Sequence, residues 1–145
     1  MNKSDIEKRH REAGYTLVEL LAVMVILVLI AAFAVPQVVG FLGKAKSDAA
    51  VVQVDNLVNA LDLYYLDNGV FPTTEQGLGA LVVKPEQLAS WNGPYVRKKN
   101  SLVDPWGVQY QYESPGKYGK FDLFSLGQDK KKGGEGDDAD ITSWN

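Results

Sequence analysis

The first residue that could do chemistry is Glu19, a carboxylate at the start of a long apolar segment. It carries the only full charge between Tyr15 and Val39. A carboxylate beside an apolar run of this length is costly unless it lies at a membrane interface, is protonated or is paired with a cation. Two interpretations follow: Glu19 lies at headgroup level and has no role, or it pairs with a positive group.

A positive partner for Glu19 is missing from the same segment, because the next Lys or Arg is Lys44. A cut after Gly14 would instead give Tyr15 a new α-amino group. That amine and Glu19 are four residues apart, so they share one face of a helix. In an assembly, the amine of one subunit could then pair with Glu19 of a neighbour.

A second group of carboxylates lies in the glycine-rich C-terminal segment, residues 127–145. Crowded carboxylates repel one another unless they are protonated, solvated or bound to a cation. Oxygen ligands without His or Cys suit calcium, but Lys131 and Gly133 stand where an EF-hand needs Asp or Asn. A solvated acidic tail is the alternative, although Ile141 and Trp144 favour burial. The acidic residues are Asp129, Glu135, Asp137, Asp138 and Asp140.

The composition disfavours several classes of function. The 145 residues carry a net charge of −3, which gives no basic face for nucleic acid. There is no Cys, and the one His is His10, upstream of Gly14. A chain cut after Gly14 would lack the commonest general base, and no nucleophile–base arrangement is recognisable. We therefore expect that the chain is not an enzyme. A further alternative is a binding module whose acidic loop recognises a basic partner.

The segment around Glu19 has the length and composition of a membrane helix. Residues 20–35 contain no polar type, Gly or Pro. At helical rise, residues 15–39 would extend about 37 Å, against a hydrocarbon core of about 30 Å. The preceding residues 1–14 have a slight positive excess and should stay in the cytoplasm. A secretory signal cleaved near residues 31–34 would leave Gly14 and Glu19 unexplained.

The helix should continue beyond the membrane segment. Pro36 predicts a kink, after which an apolar stripe resumes at three- and four-residue spacing. We expect one helix from Tyr15 to about Leu66, with Gly69 as a left-handed cap. The stripe consists of Val51, Val54, Val58, Leu61 and Tyr65.

The remaining elements are short. Thr73 and Gln76 have the spacing of a capping box, which predicts a helix over residues 74–83. Alternating residues predict strands over 108–113 and 121–126, joined in an antiparallel hairpin. Because neither the sheet nor the helix can bury its apolar face alone, the sheet should cover the helix stripe in an α+β fold.

The residues Gly14-Tyr15-Thr16-Leu17-Val18-Glu19 and the apolar helix after them resemble the signature of type IV pilins and pseudopilins. The resemblance implies that a prepilin peptidase cuts between Gly14 and Tyr15, that Tyr15 is then N-methylated, and that Glu19 is needed for assembly. The family more often has Phe at the position of Tyr15.

Four further blocks resemble the major pseudopilins of type II secretion, so the resemblance extends over nearly the whole chain. Adhesive and motility pilins usually close a C-terminal loop with a disulfide, which a chain without Cys cannot form. The blocks are residues 67–78 (DNGVFPTTEQGL), 104–107 (DPWG), 121–127 (FDLFSLG) and 136–141 (GDDADI).

This resemblance implies a pilin-like fold with three parts: a cleaved leader (1–14), a transmembrane and filament-core helix (15–39) and a periplasmic domain (40–145). The domain would contain the helix continuation 40–66 and a calcium loop over 126–145. Carried over by position, calcium ligands are the Leu126 carbonyl and Asp129, with a second half among Asp137, Asp138 and Asp140.

The implied function is that of the major structural subunit of a pseudopilus, a periplasmic filament that drives export of folded proteins across the outer membrane. The alternative is a type IV pilus major pilin for adhesion or motility. Implied partners are further copies of the chain, minor pseudopilins, the prepilin peptidase and methyltransferase, the inner-membrane assembly platform and the secretin, with no nucleic acid. The chain would cross the inner membrane once.

Overall fold

The computed structural model describes residues 15–144. The predicted leader, residues 1–14, therefore lies outside the described residues. The chain divides into two compact units, one ending at Val39 and one beginning at Gly40.

One long helix, α1, covers Leu17–Asn68 and is 52 residues long. It begins two residues after the predicted start and ends two residues beyond the predicted Leu66. It passes Pro36 as a single element, so the predicted kink at Pro36 stays a prediction. Its end follows the expected chemistry, since Gly69 has φ of +72° and donates its backbone N–H to the Tyr65 carbonyl.

In the first unit, the side chains of α1 are exposed. Every residue from 15 to 42 is exposed, including the large apolar side chains. This helix is long and apolar enough to cross a membrane. Because apolar residues on all sides of a helix require an apolar surrounding, this part of α1 needs lipid or other protein around it.

In the second unit, the core lies between α1, a small sheet and the segment around residues 78–81. The predicted stripe on α1 was wrong at two positions, because Val51 is 47% and Tyr65 39% exposed, while Ala50 and Tyr64 are fully buried. The buried face is turned by roughly 70° from the predicted one at 3.6 residues per turn. The buried row on α1 is Ala50, Val54, Leu57, Ala60, Leu61 and Tyr64.

The sheet is antiparallel and has three strands in the order β1-β2-β3. These are β1 (Gln111–Glu113), β2 (Asp122–Ser125) and β3 (Ile141–Thr142). The predicted hairpin over 108–126 is present with shorter strands, Tyr112 lying opposite Leu123. The third strand was not predicted, and it pairs Ile141 with Ser125.

The predicted helix over residues 74–83 differs from the structure in type and length. Its capping box forms as expected, since Thr73 N–H donates to Gln76 Oε1 (2.9 Å) and Gln76 N–H donates to Thr73 Oγ1 (3.2 Å). The residues after it form a 3-10 helix, Gly77–Leu81, and not an α-helix. Two glycines within five residues explain the difference, because glycine disfavours a helix interior.

Candidate functional site

Glu19 lies in the first turn of α1 and is hydrogen-bonded to Thr16. The Thr16 backbone N–H donates to Glu19 Oε2 at 2.9 Å, and the Thr16 hydroxyl donates to the same oxygen at 3.1 Å. In return, the Glu19 N–H donates to Thr16 Oγ1 at 3.2 Å. This is a capping box, which satisfies backbone donors that a helix start leaves free.

Sequence reasoning missed this first role of Glu19, although Thr16-x-x-Glu19 carries the pattern. Within residues 15–144, both bonds to the carboxylate end on Oε2, so Oε1 is left for another donor. Cleavage between Gly14 and Tyr15 would leave the capping box intact, because Thr16 keeps its amide. Gly14 lies outside the described residues, and Tyr15 is 87% exposed.

The two ends of the C-terminal loop, residues 126–140, meet at Gly127. Its φ is +66°, and a Cβ added there would lie 2.7 Å from the Ala139 carbonyl oxygen and 3.1 Å from that of Asp138. Gly127 is therefore required both by its backbone conformation and by this close approach. The contact brings the predicted first half of the cation site, at Leu126, next to the predicted second half.

The carboxylates of the C-terminal loop have different environments. Asp129 Oδ1 accepts from Lys131 N–H at 2.9 Å, and Asp140 Oδ2 accepts from Gly133 N–H at 2.9 Å. Asp140 Oδ1 is buried and has no hydrogen-bond partner in the described part of the chain. Asp137 packs its carboxylate against Gly43 of α1, where a Cβ would overlap it. Asp138 is exposed.

The loop does not gather the predicted Asp side chains into one cluster. Among residues 15–144, no three His, Cys, Asp or Glu side chains could together hold a metal ion. A cation here would have to draw most of its ligands from backbone carbonyls. Such a donor set fits calcium, which accepts carbonyl and carboxylate oxygens in a flexible geometry, and Asp140 Oδ1 is an oxygen without another partner.

A buried polar network that sequence reasoning missed lies beside the loop. Asp104 and Ser125 are 5% and 1% exposed, and Ser125 Oγ donates to Asp104 Oδ2 at 2.6 Å. The same hydroxyl oxygen accepts from Gly127 N–H at 3.2 Å. In the sequence, Asp104 was notable only as the first residue of the block 104–107 (DPWG). No periodicity relates Asp104 to Ser125, so the pattern alone could not pair them.

Two tyrosines link the sheet region to the rest of the second unit. The Tyr110 hydroxyl donates to Gln53 Oε1 on α1 at 2.7 Å, and the Tyr112 hydroxyl donates to the Pro72 carbonyl at 2.9 Å. Burial, which disfavours the phenolate, raises the pKa of Tyr112 to about 12. Burial also raises the pKa of Tyr110, with a smaller contribution from the nearby Asp104 carboxylate. Both residues therefore act as neutral hydrogen-bond donors.

Two protein-family models match the chain. The model described as type II secretion system (T2SS), protein G, matches residues 37–144. The model described as the prokaryotic N-terminal methylation motif matches residues 9–35. The second match covers the predicted cleavage point and Glu19, and the first covers the domain with the acidic loop.

Curated relatives and a solved structure agree with these matches. The type II secretion system core protein G of Vibrio cholerae is 47% identical over 143 residues, covering 97% of this chain and 97% of the relative. That of Pseudomonas aeruginosa is 47% identical over 140 residues, covering 94% and 98%. The crystal structure of the major pseudopilin from the type 2 secretion system of enterohaemorrhagic Escherichia coli is 38% identical, with a TM-score of 0.62 over 72% of this chain and 87% of that one.

These matches confirm the family resemblance and the α+β pilin-like fold predicted from the sequence, whereas the metal in the loop stays a prediction. They favour the secretion family over the alternative of an adhesive or motility pilin. The chain belongs to the type II secretion system protein G family.

Proposed function

We propose that this chain is the major structural subunit of a type II secretion pseudopilus, and not an enzyme. The observation that carries the proposal is the apolar half of α1, exposed on all sides from residue 17 to 42. A membrane covers this surface before assembly, and the same surface of neighbouring copies covers it in the filament. The filament then drives folded proteins through the outer membrane.

The proposed assembly sequence begins with insertion of the helix into the membrane. The chain crosses the inner membrane once, with residues 1–14 in the cytoplasm and residues 40–145 in the periplasm. The match to the N-terminal methylation motif supports cleavage between Gly14 and Tyr15 by a prepilin peptidase, followed by methylation of Tyr15. The assembly platform, the minor pseudopilins and the secretin are the further partners that membership of this family suggests.

When a subunit leaves the bilayer, its apolar helix exchanges contacts with lipid for contacts with protein. The two surroundings are similarly apolar. Packing between helices and specific polar pairs must therefore decide how subunits join. Glu19 supplies the polar pair: Oε2 stays with Thr16, and the carboxylate also accepts the Tyr15 amine of a neighbouring subunit. The ion pair fixes the axial position of one helix against the next.

We also propose that calcium binds at the C-terminal loop. The support is the meeting of Leu126 and Gly127 with the segment 138–140 and the buried, unpartnered Asp140 Oδ1. The Leu126 carbonyl and Asp140 would hold the ion, with Asp129, Asp137 and Asp138 as the other candidates. A bound calcium ion supplies a charge that ties the two ends of the loop together.

The role of Glu19 is tested by two variants in cells whose only copy of the major pseudopilin is this chain. Glu19→Gln keeps an acceptor oxygen for the capping box but removes the charge, whereas Glu19→Ala removes both. We expect both variants to insert into the membrane normally, yet to export less than about 10% of the secreted protein, since an ion pair in low dielectric is lost.

The assay measures secreted protein in the medium and cross-linked filaments in the envelope. The unchanged chain must restore export, and failure to do so would argue against the proposed function. Normal export with Glu19→Gln would instead show that the capping box alone is sufficient and that no ion pair is needed.

A further inference from the structure

Asp104 is a buried carboxylate that lies outside the C-terminal loop and is connected to Gly127 of that loop through the Ser125 hydroxyl. Its Oδ1 accepts from the backbone N–H groups of Trp106 (3.0 Å) and Val108 (2.8 Å). Its Oδ2 accepts from the Ser125 hydroxyl at 2.6 Å. At 5% exposure, such a group is tolerated because its oxygens are hydrogen-bonded.

The direction of the hydrogen bonds is fixed along this network. Ser125 has a single hydroxyl proton and donates it to Asp104. Its oxygen can therefore only accept from the next group, the Gly127 N–H, at 3.2 Å. Because hydrogen bonds to a charged acceptor are short and strong, the 2.6 Å bond holds the Ser125 oxygen in one place.

The orientation of the Leu126 carbonyl follows from the position of the Gly127 N–H. Both groups belong to the same peptide unit, which is planar and trans. In a trans peptide, the N–H and C=O point in opposite directions, so holding the Gly127 N–H towards Ser125 aims the Leu126 carbonyl away from it. Gly127 itself is fixed by its φ of +66° and by the close approach of the Ala139 carbonyl.

We propose that Asp104, acting through Ser125, is a positioning residue that aims the Leu126 carbonyl at the calcium ion. The inference rests on the proposed calcium site in the C-terminal loop. In metal sites, partners of this kind orient the groups that touch the ion, and their loss weakens metal affinity about 10–100-fold. Asp104 thereby couples the Asp104–Gly107 turn to the loop.

If the network of Asp104 and Ser125 had only a structural role, its variants would lower stability without a specific loss of calcium affinity. The chain offers a matched control that separates the two cases. Asp122 is a second buried carboxylate, 3% exposed, at the other end of β2. It accepts from the backbone N–H groups of Lys117 (2.8 Å) and Tyr118 (3.1 Å), far along the strand from Leu126. Replacement of Asp122 removes buried hydrogen bonds but does not affect the peptide unit between Leu126 and Gly127, which carries the proposed carbonyl ligand.

The test uses the full chain in detergent, titrated with calcium chloride, and measures both the dissociation constant and the melting temperature in chelator. Ser125→Ala and, as a second route, Asp104→Asn should each raise the calcium dissociation constant about tenfold or more. Asp122→Asn should lower the melting temperature in chelator and leave the dissociation constant within about twofold of the parent, because it disturbs only structure.

The outcomes separate this inference from the proposed site. If the parent binds calcium and either folded network variant binds it as tightly as the parent, the positioning role is overturned while the site stands. If Asp122→Asn weakens calcium binding as much as Ser125→Ala, the effect is general destabilisation, and the inference is also overturned. If the parent binds no calcium, both the site and the inference fail.

Discussion

A carboxylate in the first turn of a helix is in a favourable place, because the partial positive charge of the helix N-terminus stabilises it. Glu19 has this position at the start of α1, together with two hydrogen bonds from Thr16. The same residue can therefore be held in place before assembly and pair with a neighbour's amine during it. In the sequence, the spacing Thr16-x-x-Glu19 indicates the capping box. The ion pair with a neighbour's amine depends on cleavage after Gly14, which this spacing does not indicate.

Tyr112 should make the free energy of unfolding depend on pH in the alkaline range. Its folded-state pKa is raised to about 12, above the ordinary value of about 10. The unfolded chain loses this proton first, so the free energy of unfolding should fall as pH rises from about 10 towards 12. Tyr112→Phe should reduce this fall by on the order of 1 kcal/mol, and at neutral pH it should cost about 1 kcal/mol for the lost bond to Pro72.

The measurement for Tyr112 is denaturant unfolding of the full chain in detergent at a series of pH values. Tyr118→Phe is the control, since Tyr118 is 59% exposed, and this variant should retain the pH dependence of the parent. An unchanged alkaline slope in Tyr112→Phe would contradict the prediction.

At the scale of elements, α1 shows what periodicity can and cannot predict. Its existence and length follow from composition, and Gly69 ends it as expected. The apolar stripe was misplaced because α1 has two apolar rows at the same helical spacing, residues 51, 58 and 65 and residues 50, 57 and 64. Spacing alone does not show which row is buried. Packing decides between them: the small Ala50 allows Tyr110 to approach, with the Tyr110 hydroxyl 3.5 Å from the Ala50 carbonyl.

Short elements were predicted less well because tertiary contacts define them. The strand Ile141–Thr142 has two residues, which is too few for any alternation, and it exists because β2 supplies hydrogen-bond partners. The acidic loop follows β2 directly and begins at Leu126. Its Asp side chains were expected to converge, but Asp137 instead packs against Gly43, a contact between residues distant in sequence that no local pattern encodes.

The C-terminal loop should make the stability of the second unit depend on calcium. Binding to the folded state alone stabilises it by about 2.7 kcal/mol at a hundredfold excess over the dissociation constant, so we expect a higher melting temperature in millimolar calcium than in chelator. Asp140→Asn should remove most of this difference. Glu135→Gln, at an exposed position that is not among the predicted ligands, should retain it.

Differential scanning calorimetry of the full chain in detergent would measure this effect. Identical melting temperatures in calcium and in chelator would argue against a cation in the loop. A calcium effect that persists in Asp140→Asn would remove Asp140 from the ligand set and leave Asp129, Asp137 and Asp138.

At the scale of the whole molecule, the chain combines two parts with different surroundings. The unit ending at Val39 presents apolar side chains on every face, and the unit beginning at Gly40 has its own core. A subunit of this kind is incomplete alone, because the first part requires lipid or further copies around it. The family match over residues 9–35 lies within the first part, and the match over residues 37–144 covers nearly all of the second.

We propose that the chain becomes an assembling subunit only after the cut between Gly14 and Tyr15. The most direct test is the intact mass and N-terminal residue of the protein recovered from cells that actively export protein. We predict a chain that begins at Tyr15, lacks residues 1–14 and carries one methyl group on its α-amine. Recovery of the chain from working filaments with Met1 to Gly14 still attached would contradict it.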